Sequence, residues 1–211
     1  MKSLSLLIFA ILFLARSAYA TAQHPDILIY EGKEYALFTN PLEYYFEQHP
    51  ERRPGMASTA LWRGYIATFE FKDSMLVLKD ISVPDYSNDT LVSIWSKIFV
   101  EDTPVVVNWY SGILVLPYGK LKNYVHMGYA STYSKYILIS VVDGKMQEVR
   151  HYNDRKYEKF RKRQFEAFKK TEEYQKLVAE LKANDPDTSD EFIEEFLQIY
   201  VVSYTSRFID E

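Results

Sequence analysis

The spacing of apolar residues changes period once, near His151, and that change sets the architecture. Before it, apolar and polar residues alternate in short runs separated by turn residues, the signature of strands in a half-buried sheet. After it, Asn153 or Asp154 can cap a helix that begins near Arg155 and continues to about Ala183 with no glycine or proline. Asn184-Asp185-Pro186 stops that helix. Thr188-x-x-Glu191 then forms a capping box, and a second helix is expected to about Arg207. Its Phe192, Ile193, Phe196, Leu197, Ile199 and Tyr200 make a broad apolar stripe. The expectation is an α+β fold, an antiparallel β-rich body followed by a two-helix C-terminal segment. The body spans 21–152, and 153–211 forms a helical hairpin packed on or beside it.

Turn chemistry divides the β-rich part. Ile27 to Tyr30 and Tyr35 to Phe38 flank Glu31-Gly32-Lys33, a hairpin with a glycine in its turn. The stretch from Asn40 to Gly55 holds three prolines, so one helical turn after Pro41 and then loop is expected. Tyr65, Ala67, Phe69 and Phe71 alternate with Gly64, Ile66, Thr68 and Glu70; Lys72-Asp73-Ser74 turns the chain, and Met75 to Ile81 returns. Thr90 to Phe99 fits either a helix or a strand. PVVVNWYSGILVLP, from Pro104 to Pro117, reads as a hairpin in which Ser111-Gly112 supplies positive φ. Lys135 to Val142 and Lys145 to Arg150 form another around Asp143-Gly144.

The N-terminus carries an address. Lys2 precedes a 12-residue run from Leu4 to Ala15 that is apolar apart from Ser5, and Ala18-x-Ala20 is the small-residue pattern of a cleavage site. As a helix the run spans about 18 Å, short of a hydrocarbon core of roughly 30 Å. The reading is a signal peptide over 1–20 and an exported protein, periplasmic or secreted, with no transmembrane segment after cleavage. The chain of 211 residues has no cysteine, which removes disulfides, thiolate metal sites and a cysteine nucleophile. Cleavage removes Lys2 and Arg16 and takes the net charge from −4 to −6, which argues against nucleic acid as a partner. Asn88-Asp89-Thr90 fits an N-glycosylation pattern.

Charge is segregated near the C-terminus. Arg150 to Lys170 holds nine basic and three acidic residues, whereas Asn184 to Glu211 holds one basic and eight acidic. The simpler account is that the two helices pair, basic face to acidic face, with Tyr157, Phe160, Phe165 and Phe168 in the core. The alternative is a peripheral membrane-surface protein that lays the basic helix 155–170 on anionic headgroups.

No histidine has metal-ligand spacing, and there is no nucleophile elbow, phosphate loop or dinucleotide fingerprint, so neither cofactor nor metal is expected. Ser111 reads as a turn residue sooner than as a nucleophile served by His126. The segment from Asn108 to Tyr136 is dense in aromatics. Trp109, Tyr110, Tyr124, His126 and Tyr129 are the candidate ligand-binding residues: aromatics on a β-scaffold, with Gly112, Gly119 and Gly128 allowing close approach. The same rings can fill a core. The partner expected is an envelope ligand or another protein. The function expected is a non-catalytic binding module; the alternative is an envelope-polymer hydrolase using His126 and a nearby carboxylate.

Trp62-Arg63-Gly64-Tyr65-Ile66-Ala67, Trp109-Tyr110-Ser111-Gly112 and Tyr124-Val125-His126-Met127-Gly128-Tyr129 also resemble three blocks shared by a group of uncharacterised bacterial proteins. The resemblance covers about Ile27 to Val149. It implies a bacterial origin and a body that is one unit, and it brings no activity. The signal peptide and the helical tail depart from the group's pattern.

Overall fold

The computed structural model describes residues 22–85, 87–88, 90–100, 104–126 and 128–210. The expected signal peptide lies outside them, as does Asp89 of Asn88-Asp89-Thr90. Three tight hairpins organise the β-structure: β1 (Asp26–Tyr30) with β2 (Lys33–Leu37), β3 (Ile66–Lys72) with β4 (Met75–Asp85), and β8 (Thr132–Val142) with β9 (Lys145–Asn153). Their turn residues Glu31-Gly32, Asp73-Ser74 and Asp143-Gly144 all have positive φ, between 47° and 76°. That backbone matches the right-handed twist of two strands joined by a two-residue loop.

The strand order is β2-β1-β3-β4-β9-β8-β7, with β7 spanning Gly112–Asn123. Two short strands, β5 (Thr90–Ser93) and β6 (Val105–Val106), also pair with β4. The sheet is mixed, a correction to the antiparallel expectation. β1 and β3 run parallel, with Ile27 opposite Thr68, because the long connection between β2 and β3 carries helix α1 (Pro41–Gln48). The helix is two turns long where one was expected. The far ends of the sheet meet: the Phe38 amide donates to the Val115 carbonyl at 2.8 Å, and Tyr35 packs edge-on against Tyr118. The sheet therefore curls until its outer strands touch.

The Pro104–Pro117 hairpin is also corrected. β6 pairs with β4 (Val106 opposite Val77) and β7 pairs with β8 (Ile113 opposite Ser140). Gly112 is not among the positive-φ residues. A side chain there would meet Tyr110, whose hydroxyl lies 2.5 Å from the Cβ position. Thr90 to Phe99 divides between the two expectations, β5 and then a single helical turn, α2 (Trp95–Ile98).

β7 and β8 are buried on both faces, which explains the unbroken apolar runs Ile113 to Leu116 and Ile137 to Ile139. Leu114, Leu116, Ile137 and Ile139 point inward with Leu28, Phe69, Leu76 and Leu78. Ile113, Val115, Tyr136 and Leu138 point outward, and the C-terminal helices cover them.

Those helices number three. α3 (Asp154–Phe168), α4 (Glu172–Asn184) and α5 (Asp190–Ile199) replace the expected pair, and a 3-10 turn at Val201–Ser203 ends the helical segment before Arg207. Thr171 divides the first expected helix. Its hydroxyl donates to the Phe168 carbonyl (2.8 Å) and accepts from the Tyr174 amide (3.2 Å), ending one helix and capping the next. The cap of α5 is Ser189 in place of Thr188, whose hydroxyl is bound to Asp185. Asn153 caps α3 by accepting from the Lys156 amide at 2.9 Å.

Phe160, Phe165 and Phe168 are buried between α3, the sheet and the C-terminal segment. The basic and acidic segments meet at Arg150 and Arg163, which both bind Asp210 (2.6 and 2.7 Å); outside the basic segment, Lys182 also pairs with Asp190. Among the described residues no helix is long and apolar enough to cross a membrane.

Candidate functional site

Because α3 begins at the residue after β9, its first turns lie over the outward face of β8. Asp154, Tyr157, Glu158 and Arg161 follow at spacings of three and four, so they line one side of the helix. Tyr136, pointing outward from β8, stacks on Tyr157 with ring centres 4.0 Å apart and planes 22° apart. The Arg161 guanidinium lies 5.3 Å from the Tyr157 ring centre, and its Nη1 donates to the Ile199 carbonyl at 3.2 Å.

These residues wall a cleft of about 370 Å³, closed on its other sides by Tyr129–Thr132 and by Ile199–Ser203. That is within the range of small-molecule sites, roughly 300 to 1,000 Å³. Tyr129 forms one flank, its ring stacked on Phe38 at 4.8 Å. Burial raises the pKa of Tyr129, Tyr136, Tyr157 and Tyr200 above the ordinary phenol value, so all four keep their protons at neutral pH. The walls are thus rich in aromatic rings and neutral hydroxyls. Both carboxylates have cationic partners, Asp154 with Lys122 at 3.5 Å and Glu158 with Lys162 at 3.3 Å. The amide of Arg155, and then Lys122, hold the Asp154 carboxyl below the usual range.

A buried polar network backs the Tyr129 flank. Arg63 and Asp26 are almost wholly buried and paired at 3.1 Å. Arg63 also donates to the Tyr129 hydroxyl (2.5 Å) and the His24 carbonyl (2.9 Å), and Tyr129 donates to Asn40 Oδ1 (2.9 Å). One Asp26 oxygen accepts from the Ala67 amide, while the other is buried with no partner among the described residues.

The five residues expected to bind ligand do not share one surface. Trp109 is half-buried against Tyr45 and Phe99, its indole N–H donating to the Pro41 carbonyl at 3.2 Å. Tyr110 is 3% exposed, packed edge-on against Tyr44. Tyr124 and His126 are on the loop after β7, Tyr124 exposed, and they touch each other edge-on at 4.6 Å. Tyr129 alone of the five lines the cleft. Among the described residues no carboxylate forms an ion pair with His126, and no group of three or more histidines and carboxylates is placed to hold a metal. His151 is exposed on β9. Ser111 accepts from the Asp143 amide (2.9 Å) and donates to that side chain (3.2 Å), fastening the start of β7 to the β8–β9 turn.

Sequence reasoning missed Tyr157, Arg161 and Tyr200 as site residues. Tyr157 and Arg161, four apart on the helix and flanking the buried Phe160, were the available signal.

Fold and cleft define an α+β protein with a nine-stranded mixed sheet and a tyrosine-lined cleft between that sheet and its C-terminal helices. No family model, curated protein or solved structure matches the chain.

Proposed function

We propose that this is an exported, non-catalytic binding module that holds a saccharide of the bacterial envelope in the tyrosine cleft. The stacked pair Tyr136–Tyr157 carries the reading. Both rings line the cleft, with the hydroxyls of Tyr200, Ser203 and Thr132 around them. A sugar presents an apolar ring face and a rim of hydroxyls, and a wall of this composition complements both. The signal peptide and the bacterial blocks supply the envelope setting.

The hydrolase alternative has less support. Glycoside hydrolysis needs carboxyls on both sides of the scissile bond, one of them kept protonated. Asp154 and Glu158 project from the same helix, each is paired with a lysine, and Asp154 is pushed toward its charged form. The membrane alternative loses its apolar half because the aromatic face of α3 is inside the fold.

The test is a thermal-shift screen of the purified protein against envelope oligosaccharides, repeated with Tyr200→Ala and His126→Ala. A ligand at about 100 times its Kd adds roughly 2.7 kcal/mol. Stabilisation lost in Tyr200→Ala and kept in His126→Ala is expected. Loss only in His126→Ala would move the site to the loop tip, and no stabilisation by any saccharide would overturn the reading.

A further inference from the structure

We infer that the saccharide is acidic, and that Arg161 is the anchor for its carboxylate or phosphate. The inference rests on the cleft being the binding site and adds the class of ligand it takes.

The charges of the cleft cancel in pairs except at one residue. Lys122 is matched to Asp154 and Glu158 to Lys162, which leaves Arg161 with no carboxylate partner among the described residues. This is unusual within the protein. Among the described residues the other buried and half-buried arginines, Arg52, Arg53, Arg63 and Arg150, all pair with a carboxylate, while the unpaired Arg155 and Arg207 are exposed. A cation withdrawn from water ordinarily has an anion beside it. Among the described residues Arg161 finds only the Ile199 carbonyl, and its Nε is buried with no acceptor there.

The group is also held in place. Its position over Tyr157, itself stacked on Tyr136, and its bond to Ile199 restrict the guanidinium. A planar donor fork fixed in this way suits an oxyanion, which it can meet through two parallel N–H···O bonds. The sugar would then occupy the tyrosine-lined cleft while its acidic group meets the remaining Nη donors. Arg161 also borders the shallower depression formed with Lys162 and Gln198, so the anionic end has room beyond the cleft mouth.

The experiment is titration calorimetry at low salt with glucose, glucuronate, glucose 6-phosphate and inorganic phosphate, on wild type, Arg161→Lys and Arg161→Gln. The expected result is binding of one or both acidic sugars at least tenfold tighter than glucose. Arg161→Gln should erase that preference, and Arg161→Lys should retain part of it. Glucuronate against glucose 6-phosphate identifies which oxyanion is favoured.

Equal binding of glucose and both acidic sugars would overturn the role of Arg161 and leave the saccharide reading intact. Inorganic phosphate binding as tightly as glucose 6-phosphate, and dependent on Arg161, would keep the anchor and overturn the saccharide reading. Acidic sugars bound equally well by Arg161→Gln would overturn the anchor, and no binding of any probe would overturn both. Should Arg161→Gln not fold, the Nε–Hε resonance of Arg161 in wild type decides. It must shift on adding the acidic sugars and stay in place with glucose.

Discussion

Arg63 and Tyr129 lie 66 residues apart, yet the buried guanidinium donates to the phenol at 2.5 Å, so the flank of the cleft is fixed from inside the β-body. Tyr129→Phe removes one acceptor from a buried cation and should cost about 1 to 3 kcal/mol. Arg63→Met strands Asp26 as well and should cost about 3 to 5 kcal/mol. Urea unfolding monitored by tyrosine fluorescence checks both. Equal small losses would mean that the network is not what holds the flank.

Asp26 makes stability depend on pH. Burial outweighs the pull of Arg63 and lifts its carboxyl to about 6, while the Ala67 amide and Arg63 favour the charged form and Glu43 opposes it. The unfolded value is about 3.9. The folded protein therefore holds this proton more tightly than the unfolded chain does. Its stabilising contribution is complete below about pH 4 and is lost as pH rises through about 6. The Tm should fall as pH rises from about 4 to 7; this group's contribution changes by roughly 3 kcal/mol over the whole titration, of which about 1 kcal/mol falls between pH 5 and pH 7. Asp26→Asn should flatten that slope. A slope unchanged in the variant would assign it to another group.

How far the sequence reveals this fold depends on how local the determining interaction is. The Glu31-Gly32 and Asp143-Gly144 turns are written in adjacent residues, and those hairpins can be read from the residues alone. The partner of Val105-Val106 cannot. It is Val77-Leu78 on β4, chosen by packing across the sheet, and nothing near residue 105 announces it. The same holds for the cleft, where Tyr136, Tyr157 and Tyr200 converge from a strand, a helix and the residue after another helix. The break at Thr171 was hidden because one hydroxyl serves two helices without a glycine or proline to mark the place.

Gly112 gives the misread turn a sharp test. If the residue were needed for turn conformation, alanine would fail through backbone strain; φ is not positive there, so the cost should come from Tyr110. An added Cβ would lie 2.5 Å from the hydroxyl oxygen and 2.7 Å from Cζ. Gly112→Ala should therefore lose about 1 to 3 kcal/mol as an overpacked core does. Tyr110→Phe should not rescue it, because Cζ remains. Tyr110→Leu should recover part of the loss, and a double-mutant cycle by chemical denaturation measures the coupling. Zero coupling between the two positions would return the cost to the backbone.

Phe160 and Arg155 separate the two accounts of the basic helix. Phe160 is fully buried, stacked on Tyr152 at 5.2 Å and meeting Phe208 edge-on at 5.7 Å, whereas Arg155 stands in solvent near the start of the same helix. Phe160→Ala should cost about 3 to 5 kcal/mol, the range for losing a large ring from a packed interior. Arg155→Glu should stay within about 0.5 kcal/mol. A helix lying on a membrane by its aromatic face would behave the other way. Phe160→Ala would then leave the Tm unchanged and weaken flotation with anionic vesicles. The two measurements on the same pair of variants decide whether the aromatic face of α3 belongs to the core or to a surface.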